Sequence, residues 1–364
     1  MSSNAAACAE RMLLDEIADP PRSAPPVATA AGDRQALARA AILQGPILPT
    51  LIKLALPMLA VLIAQTAVNV AEAYYVGFLG TDALAGVALV FPVFMLMMTM
   101  SNGGLGSGVA SAVARAVGAG RQQDADALVL HSLILAVAAG ALFTLGAALG
   151  GPVLYGALGG RNDALGAALQ YSDYLFAGSI PVWIVNLLTA ALRSAGNVKV
   201  PAAVTLVGAL VLIPTSPALI FGFGPIPRLG IAGAGIAFGL YYAGAMLVLL
   251  RYMVAGRGGL ALRLSGLEVR LFANILKVGL PTALNALQTN LTVILVTAAV
   301  GLFGVDALAG YGIASRLDYV LIPILFGLAS AVLTMVGVNM GAGQVERARR
   351  VAWLGGLVGV LLTE

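Results

Sequence analysis

The chain has 364 residues, 60% of them apolar and only 10% charged, with a net charge of +4 and a mean hydropathy of +0.96. So little charge cannot cover a soluble domain, so lipid is the main solvent; the modest positive excess, gathered between apolar stretches, gives no signal for nucleic acid. The one cysteine, Cys8, excludes an internal disulfide framework and any multi-cysteine metal site.

Residues 1–44 are rich in Ala and Pro, have no early apolar core of the signal-peptide kind, and read as a disordered cytoplasmic tail. Apolar stretches follow at 48–78, 84–114, 127–149, 165–192, 200–222, 231–254, 270–303 and 306–338, and a ninth begins near Val351. A hydrocarbon core about 30 Å thick asks for roughly 20 apolar residues per helix. None of the stretches alternates in the manner of a barrel strand, and backbone groups in lipid need internal partners. The fold class is therefore all-α, a polytopic membrane protein. Basic residues set its orientation: 17 of the 20 lie in the N-terminal region or in the even-numbered loops, among them Arg115, Arg193, Lys199 and Arg251. Lys and Arg are retained on the cytoplasmic side, which places the N-terminus inside.

An internal repeat organises the chain. LALP ends at Pro57 and FLGTDALAG at Gly86; VGLP ends at Pro281 and LFGVDALAG at Gly310, so both pairs of landmarks are 224 residues apart. The GAG triplets at 118–120 and 341–343 repeat with an offset of 223. Six segments separate the copies, so both begin on the same side of the membrane. The expected architecture is two parallel six-helix lobes with a site between them: residues 45–256, and 257–364 as a partial second lobe, C-terminally truncated.

These residues, with LRSAGNVKVP (Leu192 to Pro201) and LIFGFGPIPRLGIAGAGIA (Leu219 to Ala237), resemble the multidrug and toxic compound extrusion family across about residues 45–364. The resemblance implies a V-shaped carrier that exports drug-like, often cationic compounds in exchange for Na⁺ or H⁺. It further implies a bacterial cytoplasmic-membrane location, small-molecule substrates, the lipid bilayer as surroundings, a monomer, and no cofactor beyond the coupling ion.

Ionisable groups inside a membrane are costly, which makes each one a functional candidate. In the first segment Gln65, Asn69 and Glu72 are spaced four and three apart and share a helix face. A carboxylate among amides suits a site that binds Na⁺ through oxygens or takes up a proton. The family places an aspartate where Glu72 stands, and in many members an asparagine with Asn or Asp four residues on in the fifth segment; here those positions are Leu212 and Ser216. That leaves one acid with hydroxyl partners, Ser216 and Thr215, and favours H⁺ over a fully coordinated Na⁺. Asp318, in the eighth segment with Arg316 two residues before it, is a second coupling candidate, with an interhelical salt bridge within the second lobe as the alternative. Asn285, Gln288 and Thr292 share a face of the seventh segment and are expected, with Arg316 and Tyr241, to line the substrate cavity. NGGLGSG (Asn102 to Gly108) lacks a following Lys-Ser/Thr and reads as a flexible or kinked point in the second segment.

No metal-ligand spacing or nucleotide loop supports an enzyme, so transport energy is expected from an ion gradient. Two other readings stand beside antiport. A lipid-linked precursor flippase would place several Lys or Arg in the cavity, where only Arg316 is deep. A transporter fragment without activity is the other.

Overall fold

The computed structural model describes residues 30–224, 227–256, 259–263, 266–303 and 324–364. Its first half comprises α1 (Ala30–Gln44), α2 (Ile47–Gly77), α3 (Thr81–Gly118), α4 (Gln122–Ala157), α5 (Asn162–Ala177), α6 (Ser179–Ser194), α7 (Lys199–Phe221) and α8 (Ile231–Val254). The second half adds α9 (Val269–Gly301), α10 (Ile324–Gly341) and α11 (Val345–Thr363). Six of these helices are long and apolar enough to cross a membrane, and α5 with α6, bent by 47° at Gly178, makes a seventh. Helices α9 and α11 follow the seventh and ninth apolar stretches without meeting that measure. The predicted all-α class holds.

Side-chain exposure confirms that lipid is the solvent. On the outer face of α4, Leu149 is 81% exposed and Val153 77%, which water would penalise. Conversely, α6 is buried along nearly its whole length, with Trp183, Leu187, Leu188 and Leu192 sealed in the interior. A helix buried on all faces is the packing axis of its bundle, and α3, α4 and α8 pack around this one.

The tail departs from expectation at its end. Residues 30–44 form a helix rather than a disordered segment, and Ile42 is buried. Arg39 ties α1 to the carbonyl of Gly118 at 2.7 Å, and Arg347 of α11 donates to the carbonyls of Ile42 and Gly45. These capped carbonyls and guanidinium pairs anchor a segment whose composition alone promised no order. Residues 1–29 lie outside the described residues.

The repeat is visible as reciprocal contacts. A Cβ added at Gly118 would overlap the carbonyl of Val338, and one at Gly341 would overlap the carbonyl of Arg115. Adding the repeat offset of 223 to Gly118 and Arg115 gives Gly341 and Val338, so the two contacts are mates. A second pair behaves alike: a Cβ added at Gly104 would lie 3.0 Å from Ala283, and one at Gly327 would lie 3.1 Å from Leu59. Only a two-fold relation between the copies produces such exchanges. Without a hydrophobic drive between helices in lipid, this backbone-to-backbone approach is what holds α3 and α10 together.

The connection between the halves is fastened to α4. Asp126 accepts hydrogen bonds from the Ala261 backbone N–H (2.9 Å) and from Gln122 Nε2 (3.0 Å), and Gln122 also donates to the Gly259 carbonyl at 2.6 Å. His131 is buried; its Nδ1 donates to the Ala127 carbonyl (2.7 Å) while Nε2 accepts the Glu268 N–H (2.9 Å), so the imidazole is the neutral Nδ1–H tautomer. Phe272 meets its ring edge-on at 4.5 Å. The lone histidine is a packed residue.

Two outcomes follow. Gly118→Ala is expected to cost about 1–3 kcal/mol through overpacking against Val338, read as a lower melting temperature in detergent, while Gly77→Ala, with nothing within 4 Å of its Cβ, leaves the temperature unchanged. Asp126→Ala strands the Ala261 N–H and is expected to cost about 1–3 kcal/mol. Limited proteolysis should then cut within 255–268 faster than in the parent.

Candidate functional site

A cavity of about 270 Å³ lies against α6, walled by α2, α3, α7 and α8, with Phe326 of α10 at its edge. The local sequence of α3 shapes it. Within Met100–Leu105 the helix widens to a π-helical turn, at the point where the sequence suggested a kink. Ser101 faces inward there, fully buried, and accepts a hydrogen bond from Asn186 Nδ2 of α6 at 2.8 Å. The extra residue in the turn brings Asn102 and Gly103 to the cavity wall. Such π turns are concentrated at functional sites.

One wall is aromatic. Phe94 meets Phe238 edge-on at 5.2 Å, Phe238 tilts against Tyr242 at 4.7 Å, and Tyr241 meets Tyr242 at 4.6 Å. Met95 and Met98, from the methionine run of α3, add a soft, adaptable surface beside them. Neutral polar groups also line the cavity, Gln65 and Asn69 from α2 and Thr189 from α6. Apolar walls with a few placed polar groups are the usual make-up of a small-molecule site.

The predicted site residues separate into four groups. Gln65, Asn69 and Tyr241 line the cavity. Glu72 lies three residues further along the same helix and does not line it; its carboxyl adjoins Ser216 of α7 and Tyr171 of α5. Ser216 is fully buried, and its hydroxyl completes no hydrogen bond of good geometry although it neighbours the acid. Thr215 is no partner: it faces outward and its hydroxyl donates to the Val211 carbonyl at 2.7 Å. Pro214 and Pro217 lie inside α7 and, lacking N–H groups, leave the carbonyls of Leu210 and Ile213 without intrahelical donors. Asn285, Gln288 and Thr292 are exposed on α9 and do not line this cavity. The face of α9 that packs inward carries Ile275, Gly279 and Ala283, against Gly104 and Gly108 of α3. Arg316 and Asp318 lie outside the described residues.

One residue of the cavity was missed. Arg193 reads from sequence as a loop cation, yet it is 8% exposed, lies in the last turn of α6, and lines the cavity. Its signal was present in the sequence as an arginine directly after a largely apolar run from Val182 to Leu192, in which only Asn186 and Thr189 are polar.

Comparison with known proteins gives this geometry a family. The MatE family profile matches residues 57–218 and 281–363, so its two blocks begin at the prolines that open the two repeats. A FAD transporter of Shewanella oneidensis is 30% identical over 320 residues, covering 86% of this chain and 69% of its own length. The probable multidrug resistance protein YoeA of Bacillus subtilis is 28% identical, over 78% of this chain and 63% of its own. Among solved structures, the outward-facing form of a multidrug resistance MATE family transporter superposes with a TM-score of 0.81 at 26% identity, covering 89% of this chain and 72% of that one. The chain thus spans about two thirds of the length of the relatives it matches. With a family profile over most of its helices and a relative at 30% identity, this chain belongs to the MatE family of membrane transporters.

Proposed function

We propose that the protein exports drug-like organic compounds across a bacterial cytoplasmic membrane by antiport, with its N-terminus inside and Glu72 as the group that takes up the coupling ion. The observation that carries this reading is the pairing of an aromatic and amide-lined cavity with a half-buried carboxyl on the same helix, three residues beyond Asn69. Relatives that bear multidrug resistance names support the substrate class.

H⁺ is the coupling ion this site favours. Glu72 has a hydroxyl neighbour in Ser216 and a phenol neighbour in Tyr171, with no second carboxylate among the described residues beside it, whereas Na⁺ asks for a fuller set of oxygen ligands. A carboxyl that gains and loses a proton needs only a partner able to donate to one form and accept from the other, which a hydroxyl does.

The reciprocal glycine contacts support a reading of alternating access. Gly118 against Val338 and Gly341 against Arg115 hold the ends of α3 and α10 together, at the side that the charge pattern assigns to the cytoplasm. Release of substrate to the other side, and reloading from the cytoplasm, then require those two contacts to part together. The flippase reading finds little support, since the cavity wall holds Arg193 as its one cation among the described residues.

Proteoliposomes loaded with a pH-sensitive dye test the assignment. Substrate addition is expected to release or take up protons in the parent, Glu72→Gln to abolish that response while substrate still binds, and Ser216→Ala to weaken it without lowering the melting temperature. Normal exchange by Glu72→Gln would move the coupling site elsewhere, with Asp318 the next position to replace.

A further inference from the structure

Arg193 is the one charged residue lining the cavity among the described residues. It also borders a second void of about 180 Å³, which shares Asn102, Gly103 and Phe326 with the first. The guanidinium carries five N–H donors, yet among the described residues its one hydrogen-bond partner is the thioether of Met58, at 3.3 Å from Nη1. Its Nε is buried with no partner. No carboxylate approaches it to within salt-bridge distance among the described residues. Asn186 and Asn102 line the same cavity and donate their Nδ2 groups to Ser101 and to the Met98 carbonyl, and the amide oxygen of neither accepts a hydrogen bond from Arg193. Glu72, the acid of the first half, adjoins Ser216 and Tyr171 away from the cavity wall.

A buried, unpaired cation is strongly unfavourable unless an anion arrives to meet it. A guanidinium's planar fork matches a carboxylate or a phosphate, two parallel hydrogen bonds at a time. Beside it stands the aromatic wall of Phe94, Phe238, Tyr241 and Tyr242. An organic cation in the same space would meet a like charge at low dielectric. We propose that this cavity binds organic anions bearing an aromatic ring, Arg193 pairing with their carboxylate or phosphate group while the ring lies against the aromatic wall. The proposal rests on reading this cavity as the transport site, and it reverses the sign of substrate charge that the family resemblance implied.

Fluorescein and rhodamine 6G test it, since they share a tricyclic ring and carry opposite charge. Binding to the purified protein in detergent is measured by fluorescence anisotropy, independently of any ion gradient, so loss of proton coupling at Glu72 does not affect the result. Fluorescein is expected to bind the parent about tenfold or more tighter than rhodamine 6G, the order of one charge-assisted pair. Arg193→Gln should remove that preference and leave rhodamine binding equal or stronger, while Arg193→Lys, which keeps the charge without the fork, retains part of it. Displacement of fluorescein by benzoate or by inorganic phosphate tells which acid group the site takes. A parent that prefers rhodamine 6G overturns the proposal, and that measurement needs no variant to fold. So does an Arg193→Gln protein of unchanged melting temperature that binds fluorescein as the parent does.

Discussion

Hydrocarbon offers no hydrogen bonds, and the architecture follows from that. Every backbone group must be satisfied within a helix, and helices so satisfied gain nothing from hiding apolar side chains from lipid that is equally apolar. What remains to bind them is close approach. The contacts of Gly118 with Val338 and Gly341 with Arg115 answer this need where the two halves meet. The buried polar bridges, Asn186 to Ser101 and Tyr155 to Ser172 at 2.7 Å, answer it within the first half. Both devices need small residues or short polar ones, which accounts for a chain with 45 glycines.

The cavity is placed by the same constraint. A helix buried on every side, α6, forms the interior post, and the π turn of α3 is possible beside it because Gly103 and Gly104 present no side chain to obstruct the wider turn. Packing thus creates both the void and the polar edge of Asn102 and Asn186 that faces it. The arginine at the end of α6 is carried inward by the same helix, so that its charge belongs to the cavity although its position in sequence belongs to a loop.

Much of the fold was legible in the residues. Apolar run lengths foretold the spans of the first half, the repeat landmarks foretold the two-fold exchange of contacts, and the glycine run at 102–108 foretold the irregular turn. Of the site, the α2 face was legible as a three- and four-residue spacing, and Gln65 and Asn69 do reach the cavity. The rest was hidden for separate reasons. Asn285, Gln288 and Thr292 share a face, but helical spacing cannot say toward which neighbour a face turns, and here glycine-to-backbone packing of α9 on α3 decides it. Arg193 was hidden by the charge rule itself, which assigns basic residues near segment ends to the cytoplasm without distinguishing a solvated side chain from one that folds back into the bundle. The helix at 30–44 depends on Arg39 and Arg347 meeting carbonyls far along the chain, a relation no local pattern carries.

The reciprocal contact between the repeats has a consequence for how such a chain arises. In each mate a glycine of one copy meets the carbonyl three residues before the equivalent glycine of the other, so the same patch serves as both partners. That is the geometry of an isologous dimer. Two separate half-length chains, each bearing only the first repeat's arginine, glycine and intervening residues, would have met through the same surface. Fusing their genes needed a connecting segment, here the one fastened at Asp126 and His131, and no new interface. In the joined chain the two halves differ in sequence, and the glycines at the axis are where each constrains the other.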